Sequence, residues 1–254
     1  VDCQSLSYVL PDGRALFEDA SFRVGDGTKT ALVGANGTAL YGEYSSFLTV
    51  SGCQFDFAAS YAIDLKATSD VLIEKNVIDQ SLSDGVRVYN PTVDNVTVRY
   101  NVITNTGMIA GMSEAGRLSN QAVDVRVKSG GVIQENTITN TGYIPVHFGG
   151  NDVTIKNNVI DGFCSVLDDG GAIYSWAGGL PTPTFSNRII TGNIVSNGIG
   201  APHGTLNGHH DANGIYLDND SNHVVVSDNT VFHMASLGAH LNSPAAVTLT
   251  GNTF

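Results

Sequence analysis

One pattern recurs along this chain and limits what it can fold into: a short β-branched alternation, then Asn, then any residue, then Ile, Val or Phe. It reads Leu-Thr-Val-Ser-Gly-Cys53-Gln-Phe, with Cys in the Asn position, and then Val-Leu-Ile-Glu-Lys-Asn76-Val-Ile and Val-Thr-Val-Arg-Tyr-Asn101-Val-Ile. Further copies carry Asn136, Asn158, Asn193, Asn229 and Asn252. Successive spacings from position 53 are 23, 25, 35, 22, 35, 36 and 23 residues. A period of 22–25 residues with strand-type alternation and a fixed Asn is the signature of a β-solenoid. Each coil would pair its short strands in parallel with the coils above and below, about 4.8 Å away. The Asn would sit at a bend, bonding the Asn of the next coil. Leucine-rich repeats share the period, but their Leu-x-x-Leu-x-Leu frame is absent. The expected fold is an all-β, right-handed parallel β-helix over residues 47–254, with Cys53 a buried thiol in the ladder. Residues 1–46 lack the period and are expected to form an N-terminal cap or an irregular first coil.

Three intervals run about ten residues beyond the repeat; the excess falls in 107–120, 177–186 and 198–213. All spare the Asn bend, so these loops are expected to rise from one side of the stack and wall a groove. A second strand in each coil aligns on its inward apolar pairs, and the residue between each pair must point outward. That alignment gives an outward column of Asp64, Arg87, Arg126, His147, Tyr174, Tyr216 and His240. Two residues on, the next column is Lys66, Tyr89, Lys128, Gly149, Trp176, Asp218 and Asn242. A plain solenoid would show Thr, Ser and Asn there. Aromatic faces among hydrogen-bonding groups suit a polysaccharide or oligosaccharide, with rings stacked on the aromatics and hydroxyls on the polar groups.

Composition narrows the partners. The net charge of −12 argues against nucleic acid and anionic membrane surfaces. No apolar run reaches the roughly 18–20 residues of a membrane span. Cys3, Cys53 and Cys164 are an odd number at irregular spacing, so a disulfide framework is not expected, though one pair is open. The chain opens at Val1 without a signal-peptide pattern, as a processed or trimmed protein would. It stops at Asn252-Thr-Phe254 inside a strand–bend unit, so further C-terminal coils or a capping domain are expected.

Two stretches carry the chemistry. Leu167-Asp-Asp-Gly-Gly-Ala-Ile-Tyr-Ser-Trp176 and His209-His-Asp-Ala-Asn-Gly-Ile-Tyr216-Leu-Asp-Asn-Asp220 each place an Asp five residues before a Tyr. Asp169 and Asp211 therefore fall at the same phase of neighbouring coils, where carboxyls roughly 5 Å apart would match a retaining glycosidase. Close like charges would raise one pKa and leave an acid beside a carboxylate. A bound Ca²⁺ at Asp168 and Asp220, or plain turn chemistry, is the simpler reading of the same acids. Of His203, His209 and His210, solvated and inert is the plainest reading; His210 is retained as a sugar-binding candidate. A metal centre there lacks a second cluster at ligand spacing.

Asp169-Gly-Gly-Ala-Ile-Tyr174, followed one long coil later by Gly214-Ile-Tyr-Leu-Asp218-Asn-Asp220, resembles secreted bacterial right-handed β-helix proteins that include glycoside hydrolases, among them a family with fucosidase and xylanase members. The resemblance covers most of residues 47–254 through the Asn repeat, which pectate lyases, epimerases and phage tailspikes share. It implies a protein that is secreted, periplasmic or at the cell surface, needing no cofactor. It also implies a catalytic pair of Asp169 and Asp218, whereas spacing favours Asp169 and Asp211. His147, Tyr174, Trp176, Tyr216, Arg126, Lys128, His210 and His240 would bind substrate. The alternatives are a polysaccharide lyase or uronan epimerase using Arg87, Arg126, Lys128, His147 and Tyr174, and a non-catalytic carbohydrate-binding or adhesin solenoid.

Overall fold

The computed structural model describes residues 37–114, 119–178, 185–201 and 210–254, together with the N-terminal backbone strands Asp2–Val9, Ala15–Arg23 and Lys29–Leu32. Among them no helix is long and apolar enough to cross a membrane. The repeat resolves into coils of three short strands. The first strands are Leu40–Glu43, Ile63–Lys66, Val86–Tyr89, Gly170–Ser175, Ala212–Leu217 and Ala239–Leu241. In two coils the first and second strands run on as one, Val123–Gln134 and Val146–Lys156. The third strands, Gln54–Asp56 to Thr230–Met234, stack as a separate parallel sheet in strict chain order.

Parallel pairing begins at Leu40, which lies opposite Ile63, so the first coil starts earlier than position 47. Before it the pairing is antiparallel: Asp2–Val9 with Ala15–Arg23, Ala15–Arg23 with Thr49–Ser51, and Lys29–Leu32 with Leu40–Glu43. These strands cap the stack's first edge, where bare backbone groups would otherwise invite pairing.

The Asn repeat becomes a ladder inside the coil. Asn76 Nδ2 donates to Asn101 Oδ1, Asn101 Nδ2 to Asn136 Oδ1, and so on through Asn158, Asn193, Asn229 and Asn252, at 2.9–3.0 Å. Each backbone N–H donates to the same acceptor, and each Nδ2 also reaches a carbonyl such as Val98 O. Cys53 holds the first position, its N–H donating to Asn76 Oδ1. The bend requires a left-handed residue just before the Asn. Gly52, Gly192 and Gly251 meet that need freely, but Lys75, Tyr100, Glu135, Asn157 and Asp228 take it at φ of 55–56°. Each of those non-glycines costs about 1 kcal/mol, offset by buried hydrogen bonds worth about 1 kcal/mol each.

Inward rows fill the core by alternation. Ile63, Val86, Val123, Val146, Ile173 and Ile215 form one, and Leu65, Val88, Val125, Phe148, Ser175 and Leu217 the next.

Asn136→Ala would take the acceptor from Asn101 N–H, one of the two acceptors from Asn101 Nδ2 and the amide donor from Val98 O in a dry interior. The expected loss is about 2–5 kcal/mol, read from the urea midpoint. Lys75→Gly, at an exposed left-handed position, should instead hold or gain about 0.5–1 kcal/mol.

Candidate functional site

Strand register sets which side chains line the outward face of the first strands. The column runs Tyr41, Asp64, Arg87, Asp124, His147, Tyr174, Tyr216, His240. Arg126 is not in it: Val123 and Val125, rather than Val125 and Val127, fill the inward pair, so Asp124 takes the outward place. Arg126 moves to the second column, between Tyr89 and Gly149, and displaces Lys128 from it. Lys128 lies at the following corner, its N–H donating to Val93 O and its Nζ 3.8 Å from Asp94. Beyond Gly149 the second column continues with Trp176, Asp218 and Asn242, since Asp218 N–H donates to Ser175 O and Asn242 N–H to Leu217 O.

The three insertions do not share one corner. Residues 107–120 and 198–213 precede a first strand, whereas 177–186 follow one. Their described ends therefore leave the face at both of its edges rather than at one, which bounds it as a trough. Residues 115–118, 179–184 and 202–209, with His203 and His209, lie outside the described residues, as does the Cys3 side chain. The first column is buried instead of solvated: Asp64, Arg87, Asp124, His147, Tyr174 and Tyr216 are each at most 6% exposed.

One end of the face is charged and internally paired. Arg87 grips Asp64 with two 2.8 Å bonds and lies 3.8 Å over the Tyr61 ring. Tyr61 OH donates to Glu114 of the 107–120 insertion, tying that segment down. Asp124 takes Arg126 Nε and Nη2 at 2.9 and 2.7 Å, with His147 Nδ1 3.2 Å away. Burial pushes the Asp124 carboxyl up, but His147 and Arg126 outweigh it and hold it at about 2. Asp84, buried nearby with the Gln121 N–H on its Oδ1, has no such cation in hand, and burial drives it up to about 7.

The other end is aromatic and acidic. His147 and Tyr174 rings are 5.4 Å apart, Tyr174 and Tyr216 meet edge-on at 5.2 Å, and Tyr216 stacks on His240 at 4.2 Å. Tyr174 OH donates to Asp218 Oδ2, while Asn242 Nδ2 and Asn219 N–H donate to Oδ1, each at 2.8 Å. Gly170 pairs with Ala212, so Asp169 and Asp211 stand at matching positions, as their spacing predicts. Asp211 Oδ1 accepts from Asn213 Nδ2 at 2.9 Å, and Tyr143 OH donates to Asp169 O at 2.9 Å. Asp169, left-handed at φ 56° and open to solvent, has its pKa raised by partial burial and by the charges of Asp211, Asp218 and Asp168. Among the buried polar atoms without a hydrogen bond are His147 Nε2, Gln121 Nε2 and His240 Nδ1.

The structure thus gathers Asp169, Asp211, Asp218, Tyr174, Tyr216 and His240, with Trp176 exposed on the rim. His210 is exposed beside Asp211, its backbone so close to Gly200 that a Cβ there would clash. Asp168 lies in the irregular stretch before strand Gly170–Ser175 and Asp220 in the turn after strand Ala212–Leu217, and among the described residues no group of three or more acids, His or Cys is arranged to hold a metal ion. Asp124, Tyr143, Asn213 and Gln121 escaped sequence reasoning. Asp124 had one signal: a small residue or Pro precedes the first inward residue of each coil, as Ala62, Gly85, Ala122, Pro145, Ala172, Gly214 and Gly238.

Residues 36–207 and 117–254 match the family described as a right-handed β-helix region. The chain belongs to that family. Its coils are therefore right-handed. A protein of Mycobacteroides abscessus described as an antibiotic resistance protein is 60% identical over 38 residues, 15% of this chain. Those residues are 7% of that protein's length, so this chain spans only a small part of it. No solved structure matches.

Stability should carry the marks of both buried acids. Asp84 has a folded pKa above its unfolded value of 3.8, so its contribution is present below about pH 4 and lost as pH rises through about 7. Asp124 has the opposite sign: its contribution is present above 3.8 and lost as pH falls towards about 2. Asp84→Asn keeps the Oδ1 acceptor and should flatten the fall between pH 4 and 7, on the order of a few kcal/mol, in urea titrations at stepped pH.

Proposed function

We propose that this β-helix is a glycoside hydrolase acting on a polysaccharide or oligosaccharide in the trough, outside the cell. The observation that carries the reading is the raised pKa of Asp169 among Asp211 and Asp218, at the end of a buried aromatic column. A carboxyl whose pKa is raised holds its proton more readily and can donate it to the glycosidic oxygen as the bond to the anomeric carbon breaks. Asp218, fixed by Tyr174, Asn242 and the Asn219 N–H, is positioned as the second carboxyl. It either attacks the anomeric carbon or takes a proton from the attacking water, according to its separation from Asp169. Asp211 is bonded by Asn213 alone among the described residues and serves chiefly to raise Asp169. Tyr216, His240, Trp176 and His147 hold the sugar.

The lyase or epimerase reading draws less support, because its cations are dispersed or occupied. Arg87 is committed to Asp64, Arg126 and His147 to Asp124, and Lys128 has left the face. An adhesin would need the trough without the acid cluster. The likeness to the antibiotic resistance protein spans too little chain to bear on activity.

Asp169→Asn, nearly isosteric, should keep the fold and lower kcat by about 10² or more in release of reducing ends. Asp218→Asn should fall as far. Asp211→Asn should fall less and shift the alkaline limb of the pH profile down, because it removes a charge that raises Asp169. Full turnover in Asp169→Asn would end the hydrolase assignment.

A further inference from the structure

The second outward column has one gap. It runs Lys66, Tyr89, Arg126, Gly149, Trp176, Asp218, and only Gly149 lacks a side chain. The next residue shows what a required glycine looks like: Gly150 has φ 108°, and a Cβ there would fall 1.9 Å from Val127 O. Gly149 carries neither constraint. Its Cβ would meet Arg126 Cγ at 3.4 Å, an ordinary contact, with no left-handed φ. A glycine inside a strand forfeits packing and costs conformational entropy; Gly149 borders the register shift between the Arg126–Gly149 and Ser129–Asn151 pairs, and it also leaves room on the outer face for close approach of a ligand.

The depression it leaves is bounded by built walls. Arg126 and Trp176 lie on the coils either side, about 10 Å apart at the usual strand spacing. Arg126 is fixed by its two bonds to Asp124, and its Nη1 makes no hydrogen bond among the described residues. Trp176 is 46% exposed, and Gly178 passes so near that a Cβ would sit 2.6 Å from Trp176 Nε1, which holds the indole in place.

We infer that the Gly149 depression is a subsite for one neutral sugar ring, stacked on Trp176 and hydrogen-bonded by Arg126, next to the carboxyls that cleave the glycan. This rests on the reading of the trough as a glycosidase site and extends it: the glycan lies along the stack axis, roughly one sugar per coil, and crosses Asp218 and Trp176 before reaching Arg126. Neutrality follows from the electrostatics. The Arg126 charge is already balanced by Asp124, so Arg126 offers a donor rather than net charge, and Asp218 repels an anionic ring from the other side.

Trp176 is the one tryptophan of the chain, so its fluorescence reports the subsite alone. Asp169→Asn protein, which does not consume the probe, is titrated with xylohexaose, cellohexaose and hexagalacturonate. The expected result is a saturable emission shift with a neutral hexasaccharide and none with hexagalacturonate. Gly149→Val, a favourable strand residue that should hold the melting temperature, is expected to weaken that binding at least ten-fold. Silence with all three probes overturns the subsite, as does unchanged affinity in Gly149→Val; a response to hexagalacturonate alone overturns its neutrality. Silence of Trp176 in a protein whose unsubstituted form releases reducing ends removes the subsite and leaves the hydrolase. A Trp176 response without hydrolysis does the reverse.

Discussion

Everything in this protein hangs from hydrogen bonds made by buried amides. A parallel β-helix stacks coils whose backbone ladders fix spacing, yet ladders alone leave each corner free to slip. The Asn residues remove that freedom, since each accepts from the coil before and donates to the coil after. They also force a left-handed residue before every bend, even where Tyr100 or Glu135 must adopt it. A slip of one residue would turn the core rows outward and leave the amides unpaired in a dry interior, a cost far above the local strain. With the corners pinned, side chains on the first strands have no choice but to stand in columns. The site is a consequence of that alignment.

This explains what could be read from the residues. The ladder, the coil period and the phase of Asp169 against Asp211 depend on local pattern, and the structure has them as the pattern implies. The register of Arg126 depends on more. Val123, Val125 and Val127 alternate with Asp124, Arg126 and Lys128, so hydrophobic pattern alone allows either pair inward. The choice is made by close packing ahead of the strand: a Cβ on Gly85 would meet Ala122 O at 2.6 Å, so only small residues or Pro occupy that row, and Ala122 marks Val123 as the first inward residue. Burial of the column was equally beyond local pattern, because alternation along a strand says which side chains point outward but not what packs over them.

Asp124 and Asp169 show how one residue type is given two roles by its surroundings. Asp124 is the more buried, yet Arg126 and His147 keep it charged, and its work is to hold them. Asp169 is the more open to solvent, yet partial burial and then the charges of Asp211, Asp218 and Asp168 raise its pKa. Burial by itself would predict the opposite order. The polarity of the trough, paired charge at one end and unpaired acid at the other, follows from which coil supplies a cation.

The coils around the acids are also where the solenoid departs from its own rules. Ser175 interrupts an otherwise apolar inward row, and Arg188 stands in a row of valines. Arg188 is wholly buried between Phe148 and Phe185 at 4.7 and 4.4 Å, donates to Ser175 Oγ and Asn222 O, and has its pKa pushed down to about 10. It makes no ion pair among the described residues, so it costs stability that a valine would not. What it gains is a fixed Ser175, the residue between Tyr174 and Trp176. Gly149, Gly170 and Gly171 lie on the same few strands, and at Gly170 and Gly171 a Cβ would clash with Tyr143 and Tyr216. Natural chains break local rules chiefly where function requires it. Here the violations converge on the coils of Gly149 and Asp169, while the coil of Val71–Glu74 keeps the repeat intact.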